Sequence, residues 1–95
     1  MADAPPGAGE SLEEPTISTL MLSLSTQALM LLGEIPDVTS GRPMRDLRAA
    51  RSIIDLLAVL EQKTRGNLDT AEVVLLERIL FDLRMRFVEI SRSEC

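Results

Sequence analysis

The sequence predicts an all-α fold: a three-helix domain in which a long helix 1 is followed by an antiparallel hairpin of helices 2 and 3. Three segments repeat apolar residues at intervals of three and four, whereas no stretch of β-type alternation competes with these helical periods. A long link containing Pro and Gly separates helices 1 and 2, and a short link separates helices 2 and 3. We also expect homodimerisation to complete the domain, because helix 1 is apolar on all sides.

The first fifteen residues differ in composition from the rest. They hold three of the five prolines, two of the five glycines and four acids, but a single leucine. Such a segment buries too little apolar surface to offset the entropy lost on ordering. The sequence therefore predicts a disordered acidic tail over residues 1–15 and a helical domain over residues 16–92.

The helical domain needs a further source of stability, because a domain this small buries only about 60% of its unfolded surface. The chain has no histidine, and its single cysteine, Cys95, is the last residue. Neither a metal-ligand cluster nor an intrachain disulfide can be built from these residues. Oligomerisation is the remaining route, and a dimer is the commonest closed assembly.

Helix 1 is predicted from about Thr16 to Leu32, with Gly33 as its stop. No residue between Thr16 and Gly33 is charged. A secretion signal would need a basic leader, and a membrane span would need about 20 apolar residues, whereas this stretch carries seven hydroxyl or amide side chains. We therefore expect a buried helix, with Gln27 in an interhelical hydrogen bond and the back of the helix, Leu22, Leu29 and Met30, covered by a second copy of the chain.

Helix 2 is predicted from Arg45 or Asp46 to Arg65, and helix 3 from a capping pair, Asp69 and Glu72, to about Arg92. A turn is predicted near "TSGR" in the link of residues 34–45. The predicted buried face of helix 2 comprises Ala50, Ile53, Ile54, Leu57 and Leu60, widened by Leu56 and Val59; that of helix 3 comprises Val73, Leu76, Leu80, Leu83, Phe87 and Ile90.

A second apolar line on helix 3 comprises Val74, Phe81 and Val88, which are seven residues apart and about 140° from the buried face. Two further helices cannot cover both this line and the back of helix 1. The predicted self-interface is therefore Leu22, Leu29, Met30, Val74, Phe81 and Val88.

All ten basic residues lie between Arg42 and Arg92, where eight acids accompany them. Arg42, Arg45, Arg48 and Arg51 are spaced three apart and are candidates for contact with an anion or a protein partner. The alternative is a solvated face in which Arg51 pairs with Asp55; Asp82 and Arg86 form a second predicted pair. We find no catalytic, cofactor-binding or metal-ligating set, so the sequence predicts neither an enzyme nor a cofactor.

Three segments, "STLMLSLSTQALMLLGEIPD", "DLRAARSIIDLLAVLEQKTRGNL" and "LFDLRMRFVEIS", resemble the domain of unknown function 1844 family of short bacterial proteins. The resemblance runs from about Ile17, where the family often has phenylalanine, to Ser91. It implies a small, cytoplasmic, all-helical bacterial protein with a variable charged leader, and it implies no activity. It also draws attention to "KTRGNL", which either caps a helix through a left-handed Gly66 or docks a partner.

Three functional hypotheses follow. The first is a non-enzymatic, self-associating helical adaptor or regulator of the bacterial cytoplasm, with an unidentified protein partner. The second is a nucleic-acid-associated accessory protein that uses the arginines at the start of helix 2; the near-neutral charge of the helical domain and the absence of a recognisable binding motif argue against it. The third is association with a membrane through helix 1, against which the polar side chains of that helix argue.

Overall fold

The computed structural model describes residues 15–37, 40–42 and 44–94. Within these ranges the chain forms three helices and no strand: α1, Ile17–Leu31; α2, Leu47–Lys63; and α3, Thr70–Glu94. The predicted all-helical class with three helices is confirmed. The predicted tail, except for Pro15, lies outside the described residues, as does Cys95.

Each helix begins at a side chain that accepts a hydrogen bond from the first turn. The Thr16 hydroxyl accepts from the Thr19 amide at 3.1 Å, and the Asp46 carboxylate accepts from the Ala49 amide at 3.1 Å. At α3 the capping is reciprocal, as the sequence predicts: Asp69 accepts from the Glu72 amide at 2.8 Å, and Glu72 accepts from the Asp69 amide at 2.9 Å. These bonds satisfy amides that have no partner within the helix.

The carboxyl end of α1 is closed by Gly33, which has a φ of +81°. Its amide donates to the Met30 carbonyl at 3.0 Å, and the Glu34 amide donates to the Leu29 carbonyl at 2.9 Å. This pair of bonds is a Schellman motif, in which glycine is favoured because it has no Cβ to strain a left-handed backbone. The predicted stop at Gly33 is confirmed.

The "KTRGNL" segment contains the predicted left-handed Gly66, which lies in a turn just beyond the end of α2. Gly66 has a φ of +87°, and the Asn67 amide donates to the Thr64 carbonyl at 2.8 Å. The predicted turn near "TSGR" is also present: Gly41 has a φ of +72°, and its amide donates to the Asp37 carbonyl at 2.7 Å.

We expect Gly33→Ala to destabilise the protein more than Gly66→Ala. Both positions have a left-handed backbone, which costs a residue with a Cβ roughly 1–2 kcal/mol. At Gly33 the added Cβ would also lie 3.2 Å from Nε of Arg45, whereas at Gly66 it would meet nothing within 4 Å. Urea unfolding of both variants at one protein concentration measures the difference, and equal losses would contradict a specific role for the Arg45 contact.

The core lies where all three helices meet, and every pair of helices is in contact. The largest fully buried side chains are Met21, Leu32, Leu57, Leu76, Leu80 and Leu83. Among the described residues no polar or charged side chain is buried. The predicted buried face of helix 3 is present apart from Val73, which is exposed, and it gains Ile79.

Three other burial predictions are wrong for the single chain. Leu56 and Val59 do not widen the buried face of α2 but are 49% and 47% exposed. At 100° per residue, Leu56 lies about 160° from the core residue Ile54, on the far side of the helix. Gln27 of α1 is also exposed rather than enclosed between helices. These side chains face outward because the core covers only one side of each helix.

Candidate functional site

The most exposed apolar surface follows the outer side of α3. Phe81 is 68% exposed, and Val74, Met85 and Val88 are between 44% and 49% exposed. The helical period places these four side chains within an arc of about 60°, opposite the buried face. Three of them belong to the predicted self-interface. Met85 was missed, although its spacing of four from Phe81 and three from Val88 places it on the same line.

A groove runs along α2 and α3 beside this surface and consists of three adjoining clefts. The first, at the turn between the helices, includes Leu68 and Val73; the second, of about 340 Å³, includes Phe81 and Met85; the third includes Ile54 and Phe87. Adjoining clefts share side chains, because Glu61 and Glu77 line the first two and Arg84 and Val88 line the last two. We call this continuous feature the α2–α3 groove.

The charges along the α2–α3 groove are divided between its two halves. The half nearer the turn carries one net negative charge, from Glu61, Glu77 and Arg65. The other half carries one net positive charge, from Arg51, Arg84 and Asp55, and Arg51 lies 3.9 Å from Asp55.

The three predicted interface residues of α1 lie on its outer side to different extents. Leu22 is 52% exposed, Met30 is half-buried, and Leu29 packs partly against the core. A shallow cleft beside Leu22 is lined by Thr19, Ser23, Thr26 and Gln27. Because α1 contains no charged residue, this surface meets its surroundings only through apolar, hydroxyl and amide groups.

The structure gives the four candidate arginines different surroundings. Nε of Arg45 donates to the Leu32 carbonyl at 3.3 Å, next to the Gly33 turn. The predicted pair of Arg51 with Asp55 is present at 3.9 Å between side chains that are both about 70% exposed. Arg42 and Arg48 are exposed. Two of the four arginines therefore have a polar partner within the chain, a backbone carbonyl for Arg45 and a carboxylate for Arg51.

Arg86 connects α3 with the loop that follows α1. Its Nε donates to Asp82 at 2.9 Å, which confirms the predicted pair, and its Nη1 lies 3.2 Å from Glu34. The hydrogen bond and charge of Asp82 raise the pKa of Arg86 above its ordinary value, with smaller contributions from the charges of Glu34 and Glu89. Sequence spacing identifies the pair one turn apart, but Glu34 is 52 residues away and was missed.

We expect a measurable coupling between Arg86 and Glu34 in a double-mutant cycle with Arg86→Gln and Glu34→Gln. Their side chains are 40% and 34% exposed, and a pair of this kind contributes up to about 1 kcal/mol, which salt reduces. The more exposed pair of Arg51 and Asp55 is the control and should couple less. Urea unfolding at low and high salt measures both couplings. A larger coupling for Arg51 with Asp55 than for Arg86 with Glu34 would contradict this expectation.

The described part of the chain lacks a metal-ligand cluster and a membrane-spanning helix. No group of three or more His, Cys, Asp and Glu side chains there is arranged to hold a metal ion. No helix among these residues combines the length and the apolarity that crossing a membrane would require.

The fold and the surface together define a small all-helical domain with large apolar side chains on its outer faces. The chain belongs to the family described as domain of unknown function (DUF1844), whose model matches residues 14–89. The match covers α1 and α2 and most of α3, which confirms the resemblance seen in the sequence. No curated protein matches the chain, and neither does any solved structure.

Proposed function

We propose that this chain is a non-enzymatic, self-associating helical adaptor or regulatory protein of the bacterial cytoplasm, and that its working form is a homodimer. The observation that carries the proposal is the apolar surface of α3, where Phe81 is 68% exposed between Val74 and Val88. Burying a phenylalanine side chain is worth about 1.5–3 kcal/mol, and a symmetric dimer buries two copies of it. A domain with a small core gains much of its stability from such a contact.

The outer side of α1 offers a second surface for assembly. Leu22 is half exposed beside a cleft with hydroxyl side chains, and the absence of charge in α1 means that covering this surface desolvates no ion. We propose that Leu22, Leu29 and Met30 add to self-association. Because Leu29 already packs partly against the core, Leu22 is expected to contribute most of this surface.

A role in binding rather than catalysis is supported by where the polar groups lie. Among the described residues the buried side chains are all apolar, and an enzyme site commonly holds polar groups in an enclosed pocket. We propose that α2 and α3 form an antiparallel hairpin, and that Arg48 of α2 and Arg42 of the link before it remain accessible to a protein partner. The acidic residues of the chain's first fifteen positions add a second charged segment for such a partner.

Nucleic acid is a weaker candidate for the arginine side. Arg45 contacts the Leu32 carbonyl and Arg51 lies near Asp55, so only Arg42 and Arg48 remain from the predicted set. Phosphate contacts make binding fall steeply with salt. Titration of the chain with a fluorescent DNA duplex at low and high salt tests this alternative, and no binding at low salt would end it.

Self-association is tested by multi-angle light scattering and sedimentation velocity on the full chain over a range of micromolar concentrations. We expect twice the chain mass of 10.5 kDa. A folded monomer throughout this range would contradict the proposal.

The adaptor role is tested by an affinity pull-down with the wild-type chain and the Arg42→Glu/Arg48→Glu variant, which leaves the Arg45 contact intact. A partner retained by the wild type and lost by the variant is expected, and no such partner would count against the adaptor role.

A further inference from the structure

Within the apolar surface of α3, the line of Val74, Phe81 and Val88 is symmetric about Phe81. Val74 precedes Phe81 by seven residues, and Val88 follows it by seven. At a rise of 1.5 Å per residue, each valine lies about 10.5 Å along the helix axis from Phe81. Two antiparallel copies of α3 centred on Phe81 would therefore place each valine opposite a valine, and phenylalanine opposite phenylalanine.

On the flank of this surface that adjoins α2, the charges before and after Phe81 are opposite in sign. Glu77 is four residues before Phe81 and Arg84 is three residues after it, and both line the same cleft with Phe81. In an antiparallel pair related by a two-fold axis, the same flank of each helix meets. Glu77 of one copy would then lie within about 1.5 Å, along the axis, of Arg84 of the second copy.

We infer that two copies of this chain pair through antiparallel α3 helices, with a two-fold axis at Phe81 and with Glu77 of each copy beside Arg84 of the other. The inference rests on the proposed self-association and specifies its geometry. Such an interface uses one patch twice and closes as a dimer, without propagating into a filament.

Only the antiparallel arrangement brings Glu77 of one copy together with Arg84 of the other. In a parallel pair the two residues would be seven positions, about 10.5 Å, apart along the axis and on opposite flanks. The α2–α3 groove strengthens this argument. Antiparallel pairing brings the net negative half of the groove of each copy toward the net positive half of the groove of the other.

Charge reversal on the full chain tests the pairing of Glu77 with Arg84. In sedimentation equilibrium, Glu77→Arg and Arg84→Glu should each raise the dimer Kd about tenfold, because each variant makes both symmetric pairs repulsive. The double variant should return to within about threefold of the wild type, because the pairs are restored with their signs exchanged. Lys63→Glu, on the outer side of α2, is the control and should leave the Kd unchanged. Single variants that dimerise like the wild type would overturn the inferred register.

Disulfide trapping separates the two directions of pairing. In a Cys95→Ser background, chains with Val74→Cys and chains with Val88→Cys are oxidised with glutathione disulfide, separately and as a mixture. Antiparallel pairing places the two copies of residue 74 about 21 Å apart, beyond the reach of a disulfide, but residue 74 opposite residue 88 of the second copy. A covalent dimer is therefore expected only in the mixture.

The outcomes distinguish this inference from the proposed function. Covalent dimers in the separate samples would show parallel pairing, and a dimer without any trapping would show a different interface; either result overturns the inference and leaves self-association standing. A wild-type chain that is monomeric by sedimentation overturns both.

Discussion

Replacing Leu57 by alanine is expected to lower the free energy of unfolding by about 2–5 kcal/mol. Leu57 is fully buried in the middle of α2, within the core that all three helices share. The substitution removes buried apolar atoms and leaves a cavity that the surrounding side chains fill only in part. In a domain with such a small core, this loss should leave a large unfolded fraction at room temperature.

Leu56→Ala is the matched control, because it is the same substitution one residue earlier on the same helix. Leu56 is 49% exposed, so its truncation should cost less than about 1 kcal/mol. Urea unfolding followed by circular dichroism gives both values, at one protein concentration because dimerisation contributes to the measured stability. Equal losses in the two variants would show that Leu56 is also covered, by a second copy or by a partner.

Features determined by neighbouring residues could be predicted from the sequence. The stop at Gly33 depends on glycine accepting a left-handed backbone, and the pair of Asp69 and Glu72 depends on a spacing of three residues at a helix start. The predicted pairs of Arg51 with Asp55 and of Asp82 with Arg86 span one helical turn. All of these contacts are made within a few residues, so periodicity and side-chain chemistry suffice to identify them.

Features that depend on the packing of helices could not be predicted in this way. Leu56 and Val59 are as apolar as the core residues of α2, so their apolarity does not show that they face outward; which side of α2 packs against α1 and α3 decides it. The contact of Arg86 with Glu34 joins positions 52 residues apart, and the contact of Arg45 with the Leu32 carbonyl depends on how the chain returns after Gly33. The spacing of these residues along the sequence does not show that either pair is close in space.

The candidate site could be predicted from the sequence only in part. A spacing of seven residues was enough to place Val74, Phe81 and Val88 on one line and to predict that α2 and α1 would not cover it. Their exposure in the single chain agrees with that prediction. The α2–α3 groove could not be anticipated, because it depends on Glu61 and Arg51 of α2 lying next to Glu77 and Arg84 of α3. The charge pattern that favours antiparallel pairing thus becomes visible only when the two helices are seen together.

Replacing Phe81 by aspartate is expected to convert the dimer into a folded monomer. Two copies of the substituted residue would bring two carboxylates together at the centre of the interface, where a buried aromatic anchor is commonly worth 2 kcal/mol or more. The dimer Kd should therefore rise at least ~30-fold. Because Phe81 is 68% exposed in the single chain, its replacement leaves the core intact. The helical circular dichroism spectrum should persist at room temperature, with the midpoint of urea unfolding lowered by the loss of the dimer contact.

Val59→Asp provides the comparison, since Val59 is also an exposed apolar residue but lies on the outer side of α2, away from the α2–α3 groove. This variant should remain dimeric by light scattering, whereas Phe81→Asp should have the mass of a single chain. A dimeric Phe81→Asp variant would exclude the apolar surface of α3 as the main contact. A monomeric Val59→Asp variant would instead place the contact on α2, because exposed apolar area alone does not make an interface.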